Sequence, residues 1–291
     1  MAKGNKVIIT AALAGGATTK FNNPNTPYSP EEFAEESYQC FSEGCTIVHI
    51  HAKDPQTGLA TPDLAKIRPV IEAVRSRVPD MIINMSSAIT AGLIPEQRIK
   101  PIEEMKPDMA SLNTNTMNFG IVDHKSGKVL GEVIFENTFK MLDAFARRMK
   151  AVGVKPELEA YDPGGLFNSL LIRKQGDVFV EPMHWQFVFG VAGGMAFTPL
   201  GYCHMKSLLP DGHTWSVCGV GPNQFPAIMM SCLDGGHMRV GLEDNTRVPG
   251  GELAKGSWEQ VKWAATIAQT LDRPVASPAE ARELLGLPPK K

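Results

Sequence analysis

The chain has 291 residues, a formal net charge of −2, 43% hydrophobic and 21% charged side chains. Those are the values of a soluble globular protein of one large domain or two small ones. No long basic run occurs, so nucleic acid is not an expected partner, and no stretch of about 18 apolar residues occurs to suggest a membrane span. The first six residues lack a signal-peptide core. The five cysteines (Cys40, Cys45, Cys203, Cys218, Cys232) are odd in number and lack CxxC spacing. Both features point to reduced thiols in a cytoplasm.

In chain order, residues 6–13 read as a buried strand that leads into Ala14-Gly15-Gly16-Ala17, a weak match to a phosphate loop. The loop Asn22-Asn23-Pro24-Asn25-Thr26-Pro27-Tyr28 is stiffened by two prolines and reads as a lid, an oligomer contact or a plain surface loop. Ser29-Pro30-Glu31-Glu32 sets a cap, an N1 proline and acidic residues in the order a helix start requires, and predicts a helix over 30–43.

The second strand, Thr46-Ile47-Val48-His49-Ile50-His51, ends in His-x-His. Residues i and i+2 of a strand share a face, roughly 6.5–7 Å apart along the chain. Both imidazoles can therefore converge on one ion. Burying two histidines is costly unless their ring nitrogens are satisfied, and a divalent metal satisfies them well. Two core histidines bonded to backbone are the alternative.

Thr61-Pro62-Asp63 repeats the helix-start arrangement ahead of a helix over 62–78. A third strand, 81–86, ends at Ser86 and Ser87 and precedes a helix over 95–105; a fourth, 109–113, ends at Asn113. Residues 121–136 read as a polar turn and small hairpin before a helix over 137–152. A fifth strand, 155–161, carries Glu159 near its end, with a helix over 164–174 behind it. Strands at 185–189 and 215–219 alternate with helices at 199–208 and 223–232. The eighth strand, 237–242, runs into Glu243-Asp244-Asn245, followed by a helix over 258–270 and a short extra helix over 277–287. His124, His184, His204 and His213 read as structural or exposed, and His237, at the start of its strand, as structural.

Eight strand–helix units without a linker predict an α/β fold: a (β/α)8 TIM barrel of one domain, residues 1–291. An open doubly wound sheet is the alternative, and it would normally carry a glycine-rich loop after its first strand. A barrel places its chemistry at the C-terminal strand ends, where the unusual polar residues of this chain collect. Arg239, Gly241 and Glu243 share one face of an extended strand. Glu243 can then reach the histidines of the second strand, giving a His/His/Glu set with open positions that suits catalytic zinc. A structural ion pair of Arg239 with Asp244 or Glu243 is the alternative.

Six motifs occur in order: Ile8-Ile9-Thr10-Ala11-Ala12-Leu13, Asn23-Pro24-Asn25-Thr26-Pro27, Val48-His49-Ile50-His51, Ser111-Leu112-Asn113, Met117-Asn118-Phe119-Gly120, and the run from Gly235 to Asn245. Together they resemble the β-keto acid cleavage enzymes, of which the 3-keto-5-aminohexanoate cleavage enzyme is the named member. The resemblance implies a TIM barrel, a homotetramer, and zinc held by His49, His51 and Glu243. It implies a reaction of a β-keto acid with acetyl-CoA that gives acetoacetate and a new acyl-CoA by a Claisen and retro-Claisen route. By position it implies Arg239, Asp244, Ser86 and Glu159 as catalytic residues, and Ser111 in place of a pocket threonine. Ser87 and Asn113, at the same strand ends, join Ser111 as expected substrate contacts. Arginine stays protonated, so Arg239 reads as a positioned cation and Asp244 with Glu159 as the proton-transfer groups. A metal-dependent aldolase or lyase that needs no CoA is the alternative activity.

Two positions depart from the family pattern. Ala17 stands where the amine-cleaving member has an acidic residue for the substrate ammonium, which favours a neutral or apolar substrate side chain. Pro222 and Asn223 stand where relatives often carry arginine and an aromatic, which bears on substrate or CoA contacts.

Overall fold

The computed structural model describes residues 5–123 and 126–290. Its strands are β1 (Ile9–Ala12), β2 (Ile47–Ile50), β3 (Ile82–Met85), β4 (Met109–Asn113), β5 (Met117–Asp123), β6 (Lys128–Phe135), β7 (Lys155–Ala160), β8 (His184–Phe189), β9 (Thr214–Gly219) and β10 (His237–Val240). Its helices are α1 (Pro30–Ser42), α2 (Leu64–Arg77), α3 (Pro95–Met105), α4 (Phe139–Ala151), α5 (Pro163–Arg173), α6 (Pro199–Ser207), α7 (Gln224–Asp234), α8 (Ser257–Thr270) and α9 (Pro278–Leu285). Eight of the strands pair in parallel and close into a barrel in the order β1-β2-β3-β4-β7-β8-β9-β10, so the TIM-barrel expectation holds. The remaining two, β5 and β6, form an antiparallel hairpin between β4 and α4, longer than the segment expected at 121–136.

Strand alternation assigns the two faces. Val48, Ile50, Ile83 and Met85 face outward and pack with Ile67, Ile71 and Val74 of α2. Ile47, Ile82, Met109 and the preceding Ile8 form one apolar cluster with Ala276, Ala281, Leu285 and Leu287. These are residues at the N-terminal strand ends, so the C-terminal helix α9 plugs the barrel floor. Above the plug the interior turns polar: Thr10, Asn84, Ser111, Glu157, His184, Gln186, Ser216 and His237 are all buried. Barrel interiors are usually filled by branched aliphatics. Here the groups bond to one another, with Asn84 Oδ1, Glu157 Oε1 and Gln186 Nε2 left without hydrogen-bond partners. Asn84 Nδ2 donates to Glu157 Oε2 at 2.6 Å, His184 Nδ1 lies 2.8 Å from Thr214 Oγ1, and Ser216 Oγ donates to Gln186 Oε1 at 2.5 Å. His237 Nδ1 accepts from Ile8 N at 3.1 Å, in keeping with a structural role.

Among the boundaries that differ from the sequence reading, three are instructive. The start of α2 is capped by Asp63, whose side chain accepts from Ala65 N, so Thr61 and Pro62 lie outside the helix. His184 is the first residue of β8, not a residue ahead of it. The last barrel strand stops at Val240: Gly241 takes φ +143°, and a Cβ there would lie 2.1 Å from Ala12 O, so only glycine can make this turn against β1. Of the other histidines, His204 is exposed on α6, His213 Nδ1 accepts from Met183 N, and His124 lies outside the described residues.

A buried carboxyl ties the helical layer together. Glu36 of α1 accepts from the main-chain nitrogens of Ser257 and Trp258, where α8 begins. Burial pushes its pKa up to about 7, against those hydrogen bonds. Its folded pKa exceeds its unfolded one, so its contribution to stability is complete below the unfolded value and is lost as pH rises through about 7. Glu36→Gln removes this titration. The melting temperature of the parent protein should therefore fall relative to that of Glu36→Gln between pH 5 and pH 8; a constant difference would contradict the assignment.

Candidate active site at the barrel mouth

His49 and His51 leave β2 on one side, with ring centroids 5.2 Å apart. Glu243 reaches them from the turn after β10 rather than along the strand: its main-chain N–H donates to Ala12 O at 3.1 Å, which swings the carboxylate over the mouth. Its Oε1 lies 3.6 Å from Nε2 of both histidines. Donor atoms around a tetrahedral zinc with bonds of about 2.1 Å sit about 3.4 Å apart. Both histidine–carboxylate sides of the triangle are thus close to the spacing a shared ion requires.

The other heteroatoms of the same three side chains, His49 Nδ1, His51 Nδ1 and Glu243 Oε2, are buried without a hydrogen-bond partner. Burial also holds the His49 imidazole well below its ordinary pKa, so it is the neutral form a metal requires. Burial would raise the Glu243 carboxyl, but its neighbours, the Arg239 guanidinium among them, outweigh it and hold it well below the usual range. His49 has a second set of carboxylate neighbours: donor atoms of His49, Glu157 and Glu159 lie within 4.8 Å of one another.

Arg239 sits 4% exposed at the centre of the acidic residues. It donates through Nε and a terminal nitrogen to the two Asp244 oxygens at 2.9 and 3.0 Å, to Glu243 Oε1 at 2.6 Å and to Glu159 Oε1 at 3.2 Å. The ion pair foreseen as a structural alternative is thus present together with the His/His/Glu cluster. Burial pushes Glu159 up to about 8; Arg239 opposes this and the nearby carboxylates reinforce it. Burial likewise raises Asp244 above the ordinary aspartate range, against the pull of Arg239.

The other expected residues line the same mouth. Ser86 Oγ accepts from Ala88 N at 3.1 Å, and Ser111 Oγ accepts from Ser87 N at 3.1 Å. Asn113 Oδ1 accepts from the Tyr161 hydroxyl at 2.9 Å. The Ser87 hydroxyl and Asn113 Nδ2 are buried without partners. Ala17 is exposed in the loop after β1, and Pro222 and Asn223 lie in a 3-10 turn after β9.

Several residues escaped the sequence reading. Glu157 shares the inward face of β7 with Glu159, but a Lys-x-Glu-x-Glu alternation looks like a solvent face. Lys53 lies on the His49–His51 side of the chain, is fully buried, and donates to the carbonyls of Gly15 and Thr18. Burial lowers its pKa to about 8, with Glu243 opposing. Tyr161 adds a hydroxyl 3.5 Å from Glu159 Oε2.

Known enzymes are similar to the chain over nearly its whole length. The chain is 37% identical over 282 residues to the 3-keto-5-aminohexanoate cleavage enzyme of Acetoanaerobium sticklandii, covering 97% of this chain and 98% of that one. It is 33% identical over 290 residues to the 3-oxoadipate:acetyl-CoA acetyltransferase of Cupriavidus necator, covering 97% and 95%. A ternary complex of ObcA with a C4-CoA adduct and oxalate superposes with a TM-score of 0.72 at 21% identity, over 91% of this chain and 68% of that one, and shares the fold. The family model of the β-keto acid cleavage enzymes matches residues 6–287, from the first strand to the floor helix, and the chain is a member of that enzyme family.

Proposed function

We propose that this enzyme converts a β-keto acid with an uncharged side chain, together with acetyl-CoA, into acetoacetate and a new acyl-CoA. The observation that carries the reading is the meeting of His49, His51 and Glu243 with the Arg239–Asp244–Glu159 network at the mouth of a barrel of this family. His49, His51 and Glu243 would hold zinc, which when bound polarises a carbonyl for carbon–carbon bond chemistry. Acetyl-CoA enters as co-substrate by likeness to relatives named as acetyl-CoA transferases.

The roles of the remaining groups follow from their surroundings. Arg239 is locked by three carboxylates and presents a fixed positive charge where oxygen gains negative charge. Glu159 keeps its proton near neutrality and can give it up to a developing oxyanion or carbanion, with Asp244 as the second transfer group. Ser86 and Ser111 use their oxygens as acceptors within the fold, which leaves their hydroxyl protons for a ligand. The Ser87 hydroxyl and the Asn113 amide nitrogen supply further donors. Ala17 offers no charge to a substrate ammonium.

The test is a panel of β-keto acids with acetyl-CoA on metal-analysed protein, read as acetoacetate formation. Uncharged substrates should turn over and 3-keto-5-aminohexanoate poorly; a preference for the amino substrate would sink the side-chain assignment. Turnover that persists without acetyl-CoA would favour a CoA-independent aldolase instead.

His49→Ala should lower bound zinc to below about a tenth of the parent's content, because one of three protein ligands is lost. Metal analysis of the folded variant checks this, and undiminished zinc would move the site elsewhere.

A cytoplasmic homotetramer belongs to the same reading. The five free thiols, four of them buried, suit a reducing compartment. Ile121, Val129, Leu130, Val133 and Ile134 stand exposed on the β5–β6 hairpin, as a surface covered by neighbouring copies would. Light scattering on the eluting protein should give four times the chain mass; a monomer would refute the assembly.

A further inference from the structure

Lys53 follows His49 and His51 at the same two-residue spacing, and none of its side chain reaches solvent. A buried ammonium is costly unless its protons are taken up. Here they go to main chain: Nζ donates to the carbonyl of Gly15 and, at 2.9 Å, to that of Thr18. These two carbonyls bracket the part of the β1 loop that carries Ala17.

The same loop lies directly on the candidate metal ligands. A Cβ on Gly15 would sit 2.5 Å from Glu243 Cγ, so the backbone there is in contact with the carboxylate side chain. Thr18 Oγ1 donates to the Glu243 carbonyl at 3.2 Å. A Cβ on Gly16 would come within 3.8 Å of His51 Nδ1. One side chain therefore ties the segment that supplies two ligand candidates to the loop that abuts the third. An apolar side chain of the same length would leave both carbonyls unpaired in a buried place, and the loop would lift to hydrate them.

We propose that Lys53 is a positioning residue: it locks residues 15–18 against Glu243 and His51, and so fixes both the third metal ligand and the place of residue 17 beside the substrate. The inference rests on the His49–His51–Glu243 site reading. Its subject is the supporting contact, and neither the ligands nor the reacting groups change.

The experiment measures zinc affinity of the full chain by competition with a chromophoric chelator, alongside steady-state kinetics. Lys53→Met should weaken zinc binding about tenfold, as loss of a group supporting a ligand does. It should raise KM for the β-keto acid by a similar factor while kcat falls less than about threefold and KM for acetyl-CoA is unchanged. Thr18→Val, at a half-buried position, breaks the loop's second tie without removing a buried cation. It should shift zinc affinity in the same direction by about threefold, the worth of one neutral hydrogen bond. That variant decides the matter if Lys53→Met does not fold. Folded variants with the parent's zinc affinity and KM overturn the proposal, even if their melting temperatures drop. A parent protein that binds no zinc overturns the site reading and this inference with it.

Discussion

The buried guanidinium of Arg239 is the constraint around which the barrel mouth is arranged. A cation so far from solvent is tolerable only when nearly every donor is paired, and three carboxylates do this, from the end of β7 and from the turn after β10. Taking away one partner of such a set leaves an uncompensated charge, at a cost of about 3–5 kcal/mol. The same pairing orders the acids. Asp244 is held by both oxygens, while Glu243 is held by one and keeps Oε2 without a partner. The gripped oxygen, Oε1, is also the one 3.6 Å from Nε2 of both histidines, so Arg239 fixes the position of the candidate donor atom.

That arrangement depends on the opposite end of the barrel. The interior column from Glu157 to His237 is polar, so it contributes little of the apolar burial that stabilises most barrels. The outward faces and the floor make up for this. Two large clusters pack the strands against the helices, and α9 closes the N-terminal ends with Ala281, Leu285 and Leu287 on Ile8, Ile47, Ile82 and Met109. Arg273 seals the neighbouring edge by donating to the carbonyls of Asn5, Lys6, Cys232, Gly235 and Gly236. Within the column Asn84, paired in register with His49 across β2 and β3, donates to Glu157, so the polar interior runs up to the candidate metal ligands.

What could be read from the chain alone divides along the range of the interactions. The pairing of His49 with His51 is local, since period-two alternation is a property of any strand, and it appears in space as expected. The alternation of strand and helix likewise makes a barrel legible. Glu243 was visible as a ligand type, but its path was not. The strand ends at Val240 because Gly241 meets Ala12, a contact that exists only once the barrel has closed. Lys53 resembles an ordinary loop lysine in Ala52-Lys53-Asp54-Pro55. Its burial is made by a loop some forty residues earlier, and no local pattern reports that. Glu157 was hidden for the opposite reason: charged residues alternating along a strand usually mark a wet face, and here that face lines the barrel.

Charge at the mouth gives a physical reason for a β-keto acid substrate. Arg239 and Lys53 supply two cations close to the ligand candidates, and Glu243 and Asp244 supply two carboxylates. Glu159 is pushed to about 8, so it is largely protonated near neutrality and adds little negative charge, and burial raises Glu157 as well. Arg239 and Lys53 thus come close to balancing Glu243 and Asp244 before any ion is bound. A divalent cation on His49, His51 and Glu243 would leave the mouth positive in a place of low dielectric, where unbalanced charge is expensive. A ligand bearing a carboxylate, and gaining negative charge on oxygen as it reacts, removes that imbalance.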